Sequence, residues 1–339
     1  MALNLAFFLV GLLLAGLVLK DVFETVVVPG GSRASLKVAH RLVVVMLPIW
    51  KWIRGRRRGL STTFAPFVLV SSFVLWMAIL AIGFGLMAYA VRSDFQPPLK
   101  GFGDAVYLVG SSLVTVGLSQ ANPAGLARWV ILGAGFCGLA VMTMAVTYLL
   151  EVQGSIARRD TGIYKLNTSA GEPPSALTLL ERFAALRNRQ ALPEVIEEAR
   201  NWCATVRQSH SSHPSLIYFR SVGTGAGWPA ALGAALDLAL ISEHLIDDDA
   251  LYGPAILLRE EGTRMARELA QIINLRPKPS ATSVAELEQL RQRLSGSGYS
   301  LRSDPNLEAM AEQRAEHMSC VDALAEHLGK PSAAVIRQA

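Results

Sequence analysis

The residues whose types and spacing suit chemistry are Thr115-Val116-Gly117-Leu118-Ser119, a short glycine-containing run between two long hydrophobic segments. The chemistry on offer belongs to the backbone rather than to acids, bases or thiols. An extended segment whose carbonyls all face one axis can replace the water around a cation. Thr115 adds a hydroxyl oxygen at the inner end, and Val116 is expected to face away from the axis. Gly117 supplies a backbone conformation closed to β-branched residues. T-V-G alone is a weak signal, so the elements that position it must carry the reading.

The chain has 339 residues, 51% of them hydrophobic and 17% charged, which is too apolar and charge-poor for one ordinary soluble domain. Residues 1–153 hold 12 Lys/Arg against five Asp/Glu, leaving 20 against 22 for residues 154–339. The basic excess borders the hydrophobic segments, and the second half has no basic stripe. It reads as membrane topology, with no nucleic acid implied.

Segments 5–28, 64–91 and 126–152 each reach the about 20 apolar residues that a bilayer requires. The first lacks a basic leading region and a small-x-small cleavage site, so it reads as a retained helix rather than a signal peptide. Residues 37–53 have a short uncharged core containing Pro48, with Trp50, Lys51 and Trp52 suited to headgroup level. They fit an interfacial helix better than a span. All nine basic residues from Lys20 to Arg58 then share one side, which the positive-inside rule makes cytoplasmic, with the N-terminus outside. Arg54, Arg56, Arg57 and Arg58 are topology anchors and candidate contacts for anionic lipid.

This orientation returns the chain from outside through residues 104–114, about 16 Å as a helix and too short to cross. Its C-terminal end, partially negative, aims at the Thr115 run and favours a cation there. Asp104 is expected as its N-cap.

Residues 64–152 resemble the outer helix, pore loop and inner helix of the potassium-channel superfamily, on G-D-A-V-Y-L leading to T-V-G. D-V-F-E-T-V-V-V-P at 21–29 is similar to bacterial proteins grouped with the two-pore-domain potassium channels, here with one pore loop per chain. The resemblance implies a homotetramer in a bacterial inner membrane, multi-pass. It also implies permeant K+, or Na+, held by carbonyls of Thr115, Val116, Gly117 and Leu118, with Ser119 closing the filter. The chain departs from the family pattern at Leu118 for Tyr, Ser119 for Gly, and Gln120 for the Asp of the outer mouth. These departures bear on selectivity. Gly133, Gly135 and Gly138 are either a gating hinge or packing contacts.

The expected fold is an all-α membrane protein. Residues 1–60 form a transmembrane and an interfacial helix; 61–153 a pore domain with outer helix 64–91, pore helix 104–114, filter 115–119 and inner helix 126–152. A linker at 154–176, with breakers at 167–174, precedes a helical cytosolic regulatory domain at 177–339, whose ligand the sequence does not name. Its helices are expected at 177–210 with a restart at Pro193, then 229–246, 254–275, 284–294 and 306–328.

Gly223 to Gly227 misses the dinucleotide fingerprint at Trp228 and reads as a turn, with a phosphate loop as the alternative. His210 and His213 read as part of a solvated turn, and Asp247 to Asp249 as a helix terminus. Cys137, Cys203 and Cys320 are expected to stay unpaired. No cofactor and no enzyme chemistry are suggested. The functional expectation is a cation channel gated by the helical domain; the alternatives are a non-selective channel and a non-conducting membrane sensor or scaffold.

Overall fold

The computed structural model describes residues 1–28, 45, 64–118, 121–221, 225–280, 282–331 and 333–336. The interfacial helix expected at 37–53, the arginines Arg54, Arg56, Arg57 and Arg58, and Ser119 and Gln120 lie outside them. The chain divides into two compact units, Met1–Val152 and Gln153–Ala339.

The first unit contains α1 (Ala2–Val26), α2 (Phe64–Ala90), α3 (Phe102–Leu113) and the first part of α4 (Gly125–Ala170). Three of these, α1, α2 and α4, are long and apolar enough to cross a membrane. The α1–α2 pairing depends on small residues. A Cβ on Gly11 would lie 2.3 Å from Gly83 O, and one on Gly83 would lie 3.0 Å from Gly11 O, so both glycines permit close backbone approach. Two to three turns further along the same pair of helices, Trp76 Nε1 donates to Asp21 Oδ2 at 2.7 Å. Asp21 thus occupies the helix interface, 1% exposed, which is where an intramembrane carboxylate is tolerated.

Helix α3 starts earlier than expected. Asp104 is not its N-cap: Gly101 holds that position, and the Asp104 carboxylate sits in the first turn and accepts from Gly101 N–H at 3.1 Å. A carboxylate there satisfies one orphan donor and favours the positive helix end equally well. Two short antiparallel strands, β1 (Phe95–Gln96) and β2 (Asn122–Pro123), pair Phe95 with Pro123 and Gln96 with Asn122. The chain leaving the Thr115 run is thereby pinned beside the chain that enters α3.

The second unit is helical: the remainder of α4, then α5 (Ala176–Ala185), α6 (Leu192–Ser212), α7 (Gly227–His244), α8 (Asp249–Ile272), α9 (Val284–Gly296) and α10 (Leu307–Leu328). Helix α7, G-W-P-A-A-L-G-A-A-L-D-L-A-L-I-S-E-H, is apolar on all sides and buried along nearly its whole length, as an all-round apolar helix must be. Its one buried charge, Asp237, is held bidentately by Arg314 at 2.7 and 3.1 Å. Gly262 lets α8 close onto it, since a Cβ there would lie 2.8 Å from Leu236 Cδ2.

Two expectations change here. The inner helix does not stop at 152, nor does a linker fill 154–176: α4 stays helical to Ala170, and only 171–174 form a turn. The extension has its own core. Arg159 and Ile163 are buried, Arg159 Nη1 donates to Leu216 O at 3.2 Å, and Trp202 Nε1 donates to Arg159 O at 2.9 Å. His210 and His213 are likewise not solvated. α6 runs on to Ser212, and its buried stripe Ile196, Ala199, Cys203, Val206 continues at helical spacing to His210.

Candidate functional site

Thr115 to Leu118 leave the C-terminal end of α3, and their geometry follows from where its orphan carbonyls find donors. Thr115 N–H donates to Ser112 O at 3.0 Å; Val116 and Gly117 N–H both donate to Ser111 O, at 2.8 and 3.0 Å. The peptides here are trans. In a planar trans unit the carbonyl points opposite to the N–H that follows it. Three consecutive N–H groups turned to α3 therefore place the carbonyls of Val114, Thr115 and Val116 on the opposite side. The Thr115 hydroxyl belongs to the same exposed stretch. Such a row of oxygens suits a hard, weakly hydrated monovalent cation rather than an anion or an acid–base reaction.

The backbone alternates in hand to achieve this. Thr115 has φ 60° and Gly117 φ 70°, while Val116 between them is not left-handed. For glycine this conformation is free; for a β-branched threonine it is an outlier costing on the order of 1–3 kcal/mol. The sequence assigned the special conformation to Gly117 and not to Thr115. Val116 is 58% and Leu118 56% exposed in the single chain.

Leu118 has a partner that the sequence did not suggest. Its carbonyl oxygen lies 2.8 Å from Ser111 Oγ, so it is engaged from the α3 side. Ser111 was missed from the sequence. The available signal was a hydroxyl four residues before Thr115, at the end of a helix whose other buried positions are Ala105, Leu108, Val109 and Leu113.

Of the three inner-helix glycines, Gly138 is in the tightest contact: a Cβ there would lie 2.0 Å from Leu113 O. A Cβ on Gly135 would lie 3.6 Å from Ser112 O, and one on Gly133 3.6 Å from Phe84 Cε1. Helix α4 runs unbroken through all three. Gly135 and Gly138 let α4 press against the end of the helix that carries the carbonyl row, while Gly133 faces α2.

In the second unit, Gly223 and Thr224 of the glycine run lie outside the described residues, and Gly225 to Gly227 are described. Gly225 N–H donates to Glu172, its carbonyl accepts from Lys330 Nζ at 2.8 Å, and Gly227, with φ 71°, opens α7. The Gly225 N–H is thus taken by the chain's own carboxylate. Asp248 caps α8 by accepting from Ala250 N–H at 2.9 Å. A shallow cavity of about 170 Å³ lies between α8 and α10, lined by Arg259, Arg264, Arg267, Glu316 and His317 among others. Its arginines pair with Glu243, Glu260 and Glu316, so it carries little net charge.

Compared with known proteins, residues 67–153 match a family described as ion channel, Ion_trans_2. That stretch covers α3, the Thr115 run and the glycine face of α4. No curated protein and no solved structure matched the chain.

Proposed function

We propose that the chain is one subunit of a homotetrameric cation channel that conducts potassium past Thr115, Val116 and Gly117. The observation that carries this reading is the trio of N–H groups turned to Ser111 and Ser112, which sends the carbonyls of Val114, Thr115 and Val116 the other way, within the segment matched to an ion-channel family. One chain supplies one face of such a pathway, and surrounding an ion takes about four. Side chains left bare on α4, Trp129 at 71% and Phe136 at 73% exposed, suit lipid or neighbouring subunits. The helix Gly125–Ala170 contains residues of both units without a break, which supports gating by the helical domain through α4. The proposed setting is a bacterial inner membrane, with the N-terminus outside, the second unit cytoplasmic, and anionic lipid at Arg54 to Arg58.

A second reading, weak selectivity among cations, is favoured by the engagement of Leu118 O with Ser111 and by the Leu118-Ser119-Gln120 departures. The test is flux through purified protein in liposomes under opposed potassium and sodium gradients, with Gly117→Asp as the blocked control. A potassium-biased reversal potential supports the first reading. Flux without discrimination supports the second. No flux, even after truncation beyond Gln153, refutes both and leaves a non-conducting sensor.

A further inference from the structure

We propose that Ser111 is a positioning residue that withdraws the Leu118 carbonyl from the ion path and so lowers discrimination between potassium and sodium. This rests on the channel reading above. Ser111 is 9% exposed and meets the Thr115 run twice. Its backbone oxygen receives Val116 and Gly117 N–H, and its hydroxyl lies 2.8 Å from Leu118 O. The first interaction turns carbonyls outward; the second holds one inward.

The hydroxyl has a single proton and a competing acceptor, Leu108 O, also at 2.8 Å. That acceptor is already served by its helical N–H and by Ser112 Oγ at 3.2 Å. Among the described residues Leu118 O accepts from Ser111 alone, so the Ser111 proton is more valuable there. Where the family pattern has a tyrosine whose phenol can tether the filter wall, Leu118 has no donor. The tether instead comes from behind, and it grips the carbonyl itself. A cation at the outer end then meets one fewer freely oriented carbonyl per chain, and discrimination depends on how many such dipoles surround the ion.

The experiment compares full-length wild type, Ser111→Ala and Ser111→Thr in liposomes, with two readouts. Ser111→Ala retains the backbone acceptor, so the outward carbonyls are kept. One readout is the Leu118 carbonyl resonance in protein labelled with [1-13C]leucine and [15N]serine. The chain has three Leu-Ser pairs, Leu60-Ser61, Leu118-Ser119 and Leu294-Ser295, and a Ser119→Ala sample assigns the one required. The other is the potassium-over-sodium permeability ratio.

In Ser111→Ala the Leu118 resonance is expected to shift as its hydrogen bond is lost, and the ratio to rise by roughly threefold or more, the scale of one net hydrogen bond. Ser111→Thr, which keeps the hydroxyl, is expected to restore both. A Leu118 resonance that does not move places the proton on Leu108 O and overturns the proposal. A moved resonance with an unchanged or lowered ratio overturns the selectivity role while leaving the channel reading intact. Wild type that passes no cation overturns the channel reading and this role together.

Discussion

Replacing Gly138 with alanine adds one methyl group between α4 and the end of α3. An ideal Cβ at 138 falls 2.0 Å from Leu113 O, 2.6 Å from Leu113 C and 2.7 Å from Leu113 Cα. All three are backbone atoms, so no rotamer change relieves the clash. A carbon–oxygen contact relaxes at roughly 3.3 Å, which requires about 1.3 Å of separation between two packed helices. Overpacking of that kind costs about 1–3 kcal/mol, set against a gain of about 1 kcal/mol from replacing glycine by alanine in a helix. The net expectation is a loss of roughly 0–2 kcal/mol per chain, and so about 1–3 kcal/mol relative to a glycine-to-alanine change without a clash, together with displacement of the segment that Ser111 and Ser112 orient. Gly135→Ala is the internal control. Its Cβ would lie at an ordinary 3.6 Å from Ser112 O, so the propensity gain should leave it neutral or slightly stabilised. Thermal unfolding of the purified proteins in one detergent, with ion flux alongside, separates the two. If Gly138→Ala unfolds no earlier than Gly135→Ala, the close approach of α4 to Leu113 is wrong, and a free hinge at these glycines becomes the better account.

Removing one partner of the buried Asp237–Arg314 pair, as in Arg314→Met, should destabilise the second unit by about 3–5 kcal/mol, whereas Asp237→Leu with Arg314→Met should recover most of that loss, read from thermal midpoints. Trp76→Phe deletes the 2.7 Å bond to Asp21 and should cost roughly 1–3 kcal/mol of unfolding stability while leaving the second unit's transition unaltered. Burial, with the Arg159 charge beside it, pushes His210 down to about 3, and burial with Arg314 and Arg259 does the same to His317, which also faces Asp237. Each imidazole is neutral when folded and takes a proton when unfolded below about 6.5. Their contribution is therefore complete above that pH and falls by about 1.4 kcal/mol per unit, per histidine, toward pH 3. Midpoints measured at pH 7.5, 6 and 5 should drop accordingly, and a His210→Gln variant should show a shallower slope.

Much of the architecture was legible because it rests on composition and period. Long apolar runs gave α1, α2 and the first part of α4 to within a few residues, and turn residues placed most breaks between α6 and α10. The end of α4 was not legible. Asn167 to Pro174 look like a break, yet Arg159 acquires partners some 40 to 60 positions away, Trp202 and Leu216, and Ile163 joins the core of the second unit; those contacts outweigh local preference. Asp104 was assigned to the wrong capping position because an acid serves at either place. His210 was read as solvated from its serine neighbours, when only the length of α6 decided which face it joined.

At the carbonyl row, the sequence alone determined that Thr115 to Leu118 follow a half-span helix and include a glycine, because residue type limits backbone freedom and apolar length limits depth. Only the tertiary structure decided that Thr115 shares the left-handed conformation, that Gly138 abuts Leu113, and that Ser111 reaches Leu118. Those depend on which carbonyls at the end of α3 remain unsatisfied and which donors are close enough to meet them, a matter of distance in space that spacing along the chain does not encode.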